Sequence, residues 1–452
     1  MRRALPAAVL AAFALGAPSA AAATAPTTGV TLADGHGIQI LHQTRLGPRQ
    51  VDAELKTKAL QHPVDVRILL PLAYAAHPDR RWPVLYLFHG TSGRPSDWIK
   101  VGDAQKTTRG LPMILVLPDA GFNGDGGGWC TNWYNGGAHG QPEWETFHID
   151  QFIPWIDSNL RTIPHRRGRA IAGLSQGGFC SLSYAARHPD MFTSVAGFSG
   201  AAEIDRDPEA IALVTPVIQA TASGLDGAGA DDMFGPRATQ ELNWQAHDPG
   251  TLSTNLRGMQ IQLWTGNGQP GPLDSGEPNP GAQAIEAGVF QLNELFHGHL
   301  VDEGIPSAYH YYGNGTHTWP YWARDLRQYV GPLMTRFAHP PGRPRTVTYR
   351  TVSNPWSQWG WRVAVRRPVP AFSRLSRANA HGFTLTGTHD ATVKTPRSYV
   401  PGATVVVGES GPAGDETRHI TADGRGQLRI PVPLSGDATS ATTRVTIKPL
   451  SG

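Results

Sequence analysis

Acyl transfer through a covalent intermediate needs a hydroxyl nucleophile, an imidazole base and a carboxylate to orient the base. The strongest hydroxyl candidate is Ser175, in Gly173-Leu-Ser175-Gln-Gly177. A short apolar run, Arg169-Ala-Ile-Ala172, leads into it, and Phe179 to Arg187 reads as a helix. This is the strand–turn–helix setting in which G-x-S-x-G presents a nucleophile. The flanking glycines suit a turn where a Cβ would strike the neighbouring strand or helix. The helix N-terminus beside the hydroxyl favours a developing negative charge. With 52 glycines in 452 residues the pentad alone is a weak signal, so its context carries the reading.

In this arrangement the chain order is serine, then acid, then histidine. Of the 18 histidines, His317 stands out in Gly313-Asn-Gly-Thr-His317-Thr-Trp. It follows the last expected strand and precedes a helix, where ligand sites of open α/β sheets gather. His297 and His299 fall in a helical stretch and His310 in a strand, which favours packing roles. For the acid, Asp274 and Glu277 lie in the loop after the sixth expected strand, and Glu286 lies early in the next helix. Position alone favours Asp274. One oxyanion donor is the N–H of Gln176, and the other comes from the loop after His89-Gly90. Such chemistry calls for no metal or cofactor. A neutral imidazole base implies activity rising through roughly pH 6–7.

The elements that must position these groups alternate. Expected strands run from Val64 to Pro71, Trp82 to Gly90, Met113 to Pro118, Arg169 to Ala172, Ser194 to Ser199, Met259 to Trp264 and Ala308 to Tyr312. Expected helices run from Thr146 to Asn159, Phe179 to Arg187, Ala284 to Glu303 and Tyr321 to Phe337. The alternation implies an α/β fold, a mostly parallel sheet with helices on both faces, of the α/β-hydrolase kind. A Pro-rich connector at 339–345 separates this domain (24–338) from 346–452, where short β-prone runs between Gly/Pro turns suggest a small β-sandwich.

The first 23 residues have a basic start, a short apolar centre and small residues at the end, the pattern of a secretory signal peptide. The expected location is therefore extracellular, with cell-wall association through the C-terminal domain as one role. Formal charge is +3, or +1 without Arg2 and Arg3, too little to suggest a nucleic-acid partner. Two cysteines, Cys130 and Cys180, permit one disulfide or two separate buried thiols.

From roughly Val64 to Phe337 the chain resembles the esterase D-like branch of α/β-hydrolases, and within it the secreted mycolyltransferase (fibronectin-binding antigen) family. The matching pieces include Tyr86-Leu-Phe-His-Gly90, Asn132-Trp-Tyr134, Trp144-Glu-Thr-Phe147, Gly173-Leu-Ser175, Gly266-Asn-Gly268 and Gly315-Thr-His-Thr-Trp319. The resemblance implies an acid about thirty residues before the histidine. Glu286 precedes His317 by 31 and so displaces Asp274, which stays as runner-up. It also implies Thr91 as the second oxyanion donor, and Trp319 beside an acceptor site. Trp129, Trp133, Tyr134 and Trp322 fall on segments expected near Ser175, and Trp133 joins Trp319 as a substrate-contact candidate.

The departures matter too. The family's Asp-Gly-Leu-Arg loop reads His89-Gly-Thr-Ser92 here, and Asn135 to Gly140 replaces its close cysteine pair. The expectation is therefore an esterase or acyltransferase working through an acyl-serine on carboxylic esters, with acylated glycans or glycolipids as substrate class. Mycolyltransferase-like transfer to a sugar or lipid alcohol is the near alternative. A non-catalytic wall- or matrix-binding protein on the same scaffold is the distant one.

Overall fold

In the computed structural model, residues 29–134, 140–222, 224, 227–435 and 437–450 are described. The expected signal peptide and Asn135 to His139 lie outside them. Apolar runs such as Val84-Leu-Tyr-Leu-Phe88 cannot face water on either side, so they pair into a sheet covered twice. Strands β1 (Ile38–Leu46), β2 (Gln50–Thr57), β3 (Val64–Leu69), β4 (Val84–Phe88), β5 (Ile114–Pro118), β6 (Arg169–Leu174), β7 (Ser194–Phe198), β8 (Gln260–Thr265) and β9 (Ala308–Tyr311) form one nine-stranded sheet. Their order is β1-β2-β3-β5-β4-β6-β7-β8-β9, parallel from β5 to β9 and antiparallel from β1 to β3 and where β3 meets β5. All residues of β4, β5 and β7 are buried, between one apolar layer around Phe179, Leu182 and Tyr184 and another around Trp98, Trp264 and Tyr329.

The sheet has two strands more than the sequence suggests. β2 alternates inward Val51, Ala53 and Leu55 with polar residues, the period-2 signature of a half-buried strand. β1 is mostly exposed and extends the edge by pairing with it. The stretch expected as one helix from Thr146 opens as a wide π-helical segment (Thr146–Phe152) that runs directly into an α-helix (Ile153–Asn159) containing Pro154. Among the described residues no helix is long and apolar enough to cross a membrane.

Beyond residue 346 the architecture changes to antiparallel sheets. One sheet comprises β10 (Val347–Thr351), β13 (Ser373–Asn379), β14 (Gly382–Gly387), β19 (Ala441–Pro449), β16 (Thr404–Gly411) and β17 (Gly414–Thr421) in that order. The other comprises β11 (Trp356–Gln358), β12 (Trp361–Val365), β15 (Ala391–Lys394) and β18 (Arg429–Val432). Inward residues of both, including Trp361, Val363, Leu375, Leu385, Val407 and Ile430, form a separate core. The Asn255 amide exchanges two hydrogen bonds with the backbone of Arg350, at 2.9 and 2.8 Å, and the Tyr349 hydroxyl donates to the Arg187 carbonyl at 2.7 Å. These bonds tie the β domain to the turn Ser253–Leu256 and to the end of the helix that follows Ser175.

Candidate active site

Ser175 sits between β6 and the helix Gln176–Arg187 with φ 53° and ψ −124°, a left-handed conformation strained for a side chain with a Cβ. Its N–H donates to the Phe198 carbonyl on β7, which pins the turn. The glycines around it are packing requirements. A Cβ on Gly173 would lie 2.3 Å from the Gly177 carbonyl oxygen, and one on Gly177 would lie 2.3 Å from the carbonyl of His89. The nucleophile turn is thus pressed against the β4 exit loop.

That loop carries Thr91. Among the described residues, the N–H groups of Thr91 and Gln176 donate to no protein acceptor. Both residues border the cavity that Ser175 faces. Gly90 lets the loop close in, since a Cβ there would come 3.1 Å from that of Ser175. The His89 ring stiffens the turn: Nδ1–H donates to the Gly90 carbonyl at 2.7 Å, and Nε2 lies 3.0 Å from buried Asp119 Oδ1. The Gln176 amide donates to the Ala120 carbonyl at 3.1 Å, which keeps its side chain out of the cavity.

His317 and Glu286 meet. The Nδ1–H of His317 donates to Glu286 Oε2 at 2.7 Å. Glu286 is fully buried, and its other oxygen accepts from Ser199 Oγ (2.8 Å), the Gly266 N–H (2.8 Å), Thr265 Oγ1 (3.2 Å) and Tyr312 OH (3.3 Å). With one oxygen surrounded by these donors and the other facing the imidazole, the carboxylate is held rigidly. Burial, and the Glu286 charge after it, push the Tyr312 phenol far up, so it remains a donor. His317 Nε2 is buried without a hydrogen-bond partner, and its ring borders the same cavity as Ser175.

Asp274, the runner-up acid, hydrogen-bonds the residues on either side of the histidine instead. Oδ1 accepts from the hydroxyls of Thr316 and Thr318, and Oδ2 from Tyr321 OH (2.8 Å) and the Gly271 N–H (2.8 Å). Burial alone would raise its carboxyl, but these bonds outweigh it and hold the group below the ordinary aspartate range. Asp274 therefore fixes the loop that carries His317. Glu277 is exposed.

Two cavities meet at Ser175. One, of about 220 Å³, is walled by apolar side chains of two helices, Leu213, Val214 and Val217 from Pro208–Ala220, and Ile285, Val289 and Leu292 from Pro280–Asp302. The local signal for them is helical spacing, i, i+1, i+4 for the first set and i, i+4, i+7 for the second, which places each set on one helix face. The other, of about 350 Å³, is bordered by Ser92, Asp97, His317, Thr318, Trp319 and Trp322. Trp319 borders this cavity, edge-on to Trp98 and Trp322. Trp129 borders the apolar cavity. Trp133 requires a correction: it is fully buried, its indole N–H donates to the Gly128 carbonyl at 3.0 Å, and it borders neither cavity. A Gly-rich loop needs an apolar anchor, and Trp133 supplies it. Cys130 and Cys180 form a disulfide that fastens this loop to the helix after Ser175.

A family model described as "Putative esterase" matches residues 57–333. Esterase Rv1288 of Mycobacterium tuberculosis (strain ATCC 25618 / H37Rv) is 33% identical over 281 residues, covering 61% of this chain and 58% of that protein. The chain thus matches little more than half the length of that relative. Diacylglycerol acyltransferase/mycolyltransferase Ag85A of Mycobacterium gordonae is 31% identical over 268 residues, covering 58% of this chain and 75% of that protein. The crystal structure of Mycobacterium tuberculosis MPT51 aligns with a TM-score of 0.50 at 22% identity, covering 62% of this chain and 96% of its own, a likeness of fold. Pentad, fold and relatives agree that the chain belongs to the putative-esterase family of α/β-hydrolases, among homologues that include the mycolyltransferases.

Proposed function

We propose that this protein is a secreted serine esterase or acyltransferase acting through an acyl-serine on carboxylic esters of glycans or glycolipids, held at the cell wall by its C-terminal β domain. The observation that carries the reading is the position of Ser175 between an apolar cavity and a second one where His317 and Trp319 lie. The acyl group occupies the first and the alcohol the second. The Ser175 hydroxyl gives its proton to His317 Nε2 as Oγ bonds to the ester carbon, and Glu286 supports the imidazolium that results. The N–H groups of Thr91 and Gln176 receive the oxyanion. Collapse breaks the ester C–O bond, and the departing alcohol takes the proton from His317. Water or an acceptor alcohol then gives its proton to the same nitrogen and attacks the acyl carbon; the Oγ–C bond breaks, Ser175 Oγ takes the proton back from His317, and the acid or the new ester is released.

Cavity size sets the acyl preference. A volume of 220 Å³ equals about seven water-sized units, enough for a short or medium acyl chain or one aromatic acid. Trp319 offers a face for a sugar ring, and Asp97 and Thr318 offer polar partners for its hydroxyls. Mass spectrometry after incubation with p-nitrophenyl octanoate tests the scheme: one octanoyl adduct on Ser175 is expected, absent in Ser175→Ala. Turnover without any adduct dependent on Ser175 would refute it. Gly288 borders the apolar cavity, where a Cβ would meet only Leu213 Cδ2 at 4.0 Å, so Gly288→Leu should cut octanoate turnover and spare acetate.

A further inference from the structure

The modest net charge of the chain conceals a segregation. Residues 346–452 carry 13 Arg and Lys against 6 Asp and Glu, a net of +7, whereas residues 24–345 carry 24 against 30, a net of −6. Four of the thirteen, Arg362, Arg366, Lys394 and Arg429, gather on the outer face of the four-stranded sheet. Arg362 on β12 pairs in register with Lys394 on β15, and Lys394 pairs with Arg429 on β18. Directly opposed residues in antiparallel strands have Cβ atoms about 5 Å apart, and like charges so placed repel. Three cations thus stand in one row across three strands, where any alternation of sign would be more stable.

Little else in the protein relieves that repulsion. Among the described residues, Arg362, Arg366 and Arg429 are exposed and their guanidinium groups have no ion-pair or hydrogen-bond partner; only Lys394 has one, Asp423 at 3.2 Å. Arginines that serve the fold are held differently: Arg187 grips Glu145 with two bonds of 2.8 Å, and Arg49 donates to three backbone carbonyls. The four cations border a groove of about 470 Å³ whose remaining lining is Pro355, Ala364, Val365 and Thr392. No residue of this groove borders either cavity at Ser175.

We propose that the Arg362–Lys394–Arg429 row and Arg366 form a docking groove for an extended polyanion carrying a phosphodiester in each repeat, of the polyol-phosphate kind. The guanidinium fork matches two phosphate oxygens and the ammonium adds a mobile point charge. A phosphodiester keeps its charge when crowded along a chain, whereas neighbouring carboxylates raise one another's affinity for protons. The lining has no aromatic ring, so it offers no platform for stacked nucleobases or for the faces of neutral sugars. This deepens the wall-association reading and is independent of the ester chemistry.

The test is calorimetric titration of the full protein with poly(glycerol phosphate), with p-nitrophenyl ester hydrolysis measured on the same samples. Binding should weaken with salt at a log–log slope of about −2 to −3, as expected for three to four displaced counterions. The double variant Arg362→Thr/Arg429→Thr should bind at least ten-fold more weakly while hydrolysis stays unchanged and Tm holds or rises, since repulsion is removed and Thr suits an exposed strand. Unchanged binding in that variant overturns the proposal. So does equal affinity for polygalacturonate, which makes the groove a general acid-polymer site, or a preference for single-stranded DNA. Loss of hydrolysis in wild type with binding intact would refute the esterase reading alone.

Discussion

His317 Nδ1 lies 2.7 Å from Glu286 Oε2, and the other oxygen of that carboxylate is occupied by four donors. A glutamate held this way has no freedom to rotate, so the imidazole inherits its orientation from β7, β8 and the loop after β9. In Glu286→Gln, the amide N–H would face Nδ1 and drive the proton to Nε2, the wrong tautomer for a base. The expected result is a fall in kcat of about 10²–10⁴ with KM nearly unchanged. A variant within three-fold of wild type would contradict this coupling.

Asp274 acts one step further out. Asp274→Ala removes acceptors from Thr316, Thr318, Tyr321 and the Gly271 N–H, and frees the loop around His317. Losing this clamp should lower kcat about ten-fold or more at similar KM, and Asp274→Asn should recover part of it, because the amide keeps one acceptor oxygen. Steady-state kinetics of both variants decide the point. A large KM change with kcat intact would place Asp274 in substrate binding instead.

Asp325 gives the pH dependence of stability a testable component. Burial pushes its carboxyl up to about 7, with the Arg324 ion pair opposing and the Glu286 charge adding to the rise. A folded-state value above the unfolded one means that the folded protein holds the proton more tightly. The stability it contributes is complete below about pH 4 and is lost as pH rises through about 7. The Tm difference between Asp325→Asn and wild type should therefore grow in favour of the variant from pH 4 to pH 7.5. A difference independent of pH would show that Asp325 does not titrate there.

The Cys130–Cys180 bond closes a 50-residue separation and holds the Trp129 loop against the nucleophile helix. On the chain-entropy account such a closure is worth about 4 kcal/mol. Cys130→Ser/Cys180→Ser should lower Tm, and should raise KM for octanoate esters more than for acetate, since Trp129 borders the apolar cavity. Equal effects on the two esters would mean that the bond stabilises the fold without shaping the site.

The elements legible in the sequence are those whose signal is local. Seven strands of the main sheet announce themselves as apolar runs, and Ser175 sits in a pentad whose glycines admit one sharp turn. His317 lies in a Gly-rich loop after the last strand. In the β1–β2 hairpin only β2 carries a local signal, its period-2 alternation; β1 is largely exposed and is held by pairing, which local pattern does not encode. Position along the chain favours Asp274 and only the family resemblance points to Glu286; the physical reason lies in the tertiary structure, where the helix from Pro280 to Asp302 brings Glu286 to Nδ1 and leaves Asp274 as a clamp. Tertiary structure likewise sent Trp133 into the core and left Trp319 at the cavity, two aromatic residues whose composition is identical. Hydrophobic burial chooses by the space left around a side chain, and that space exists only once distant segments have packed.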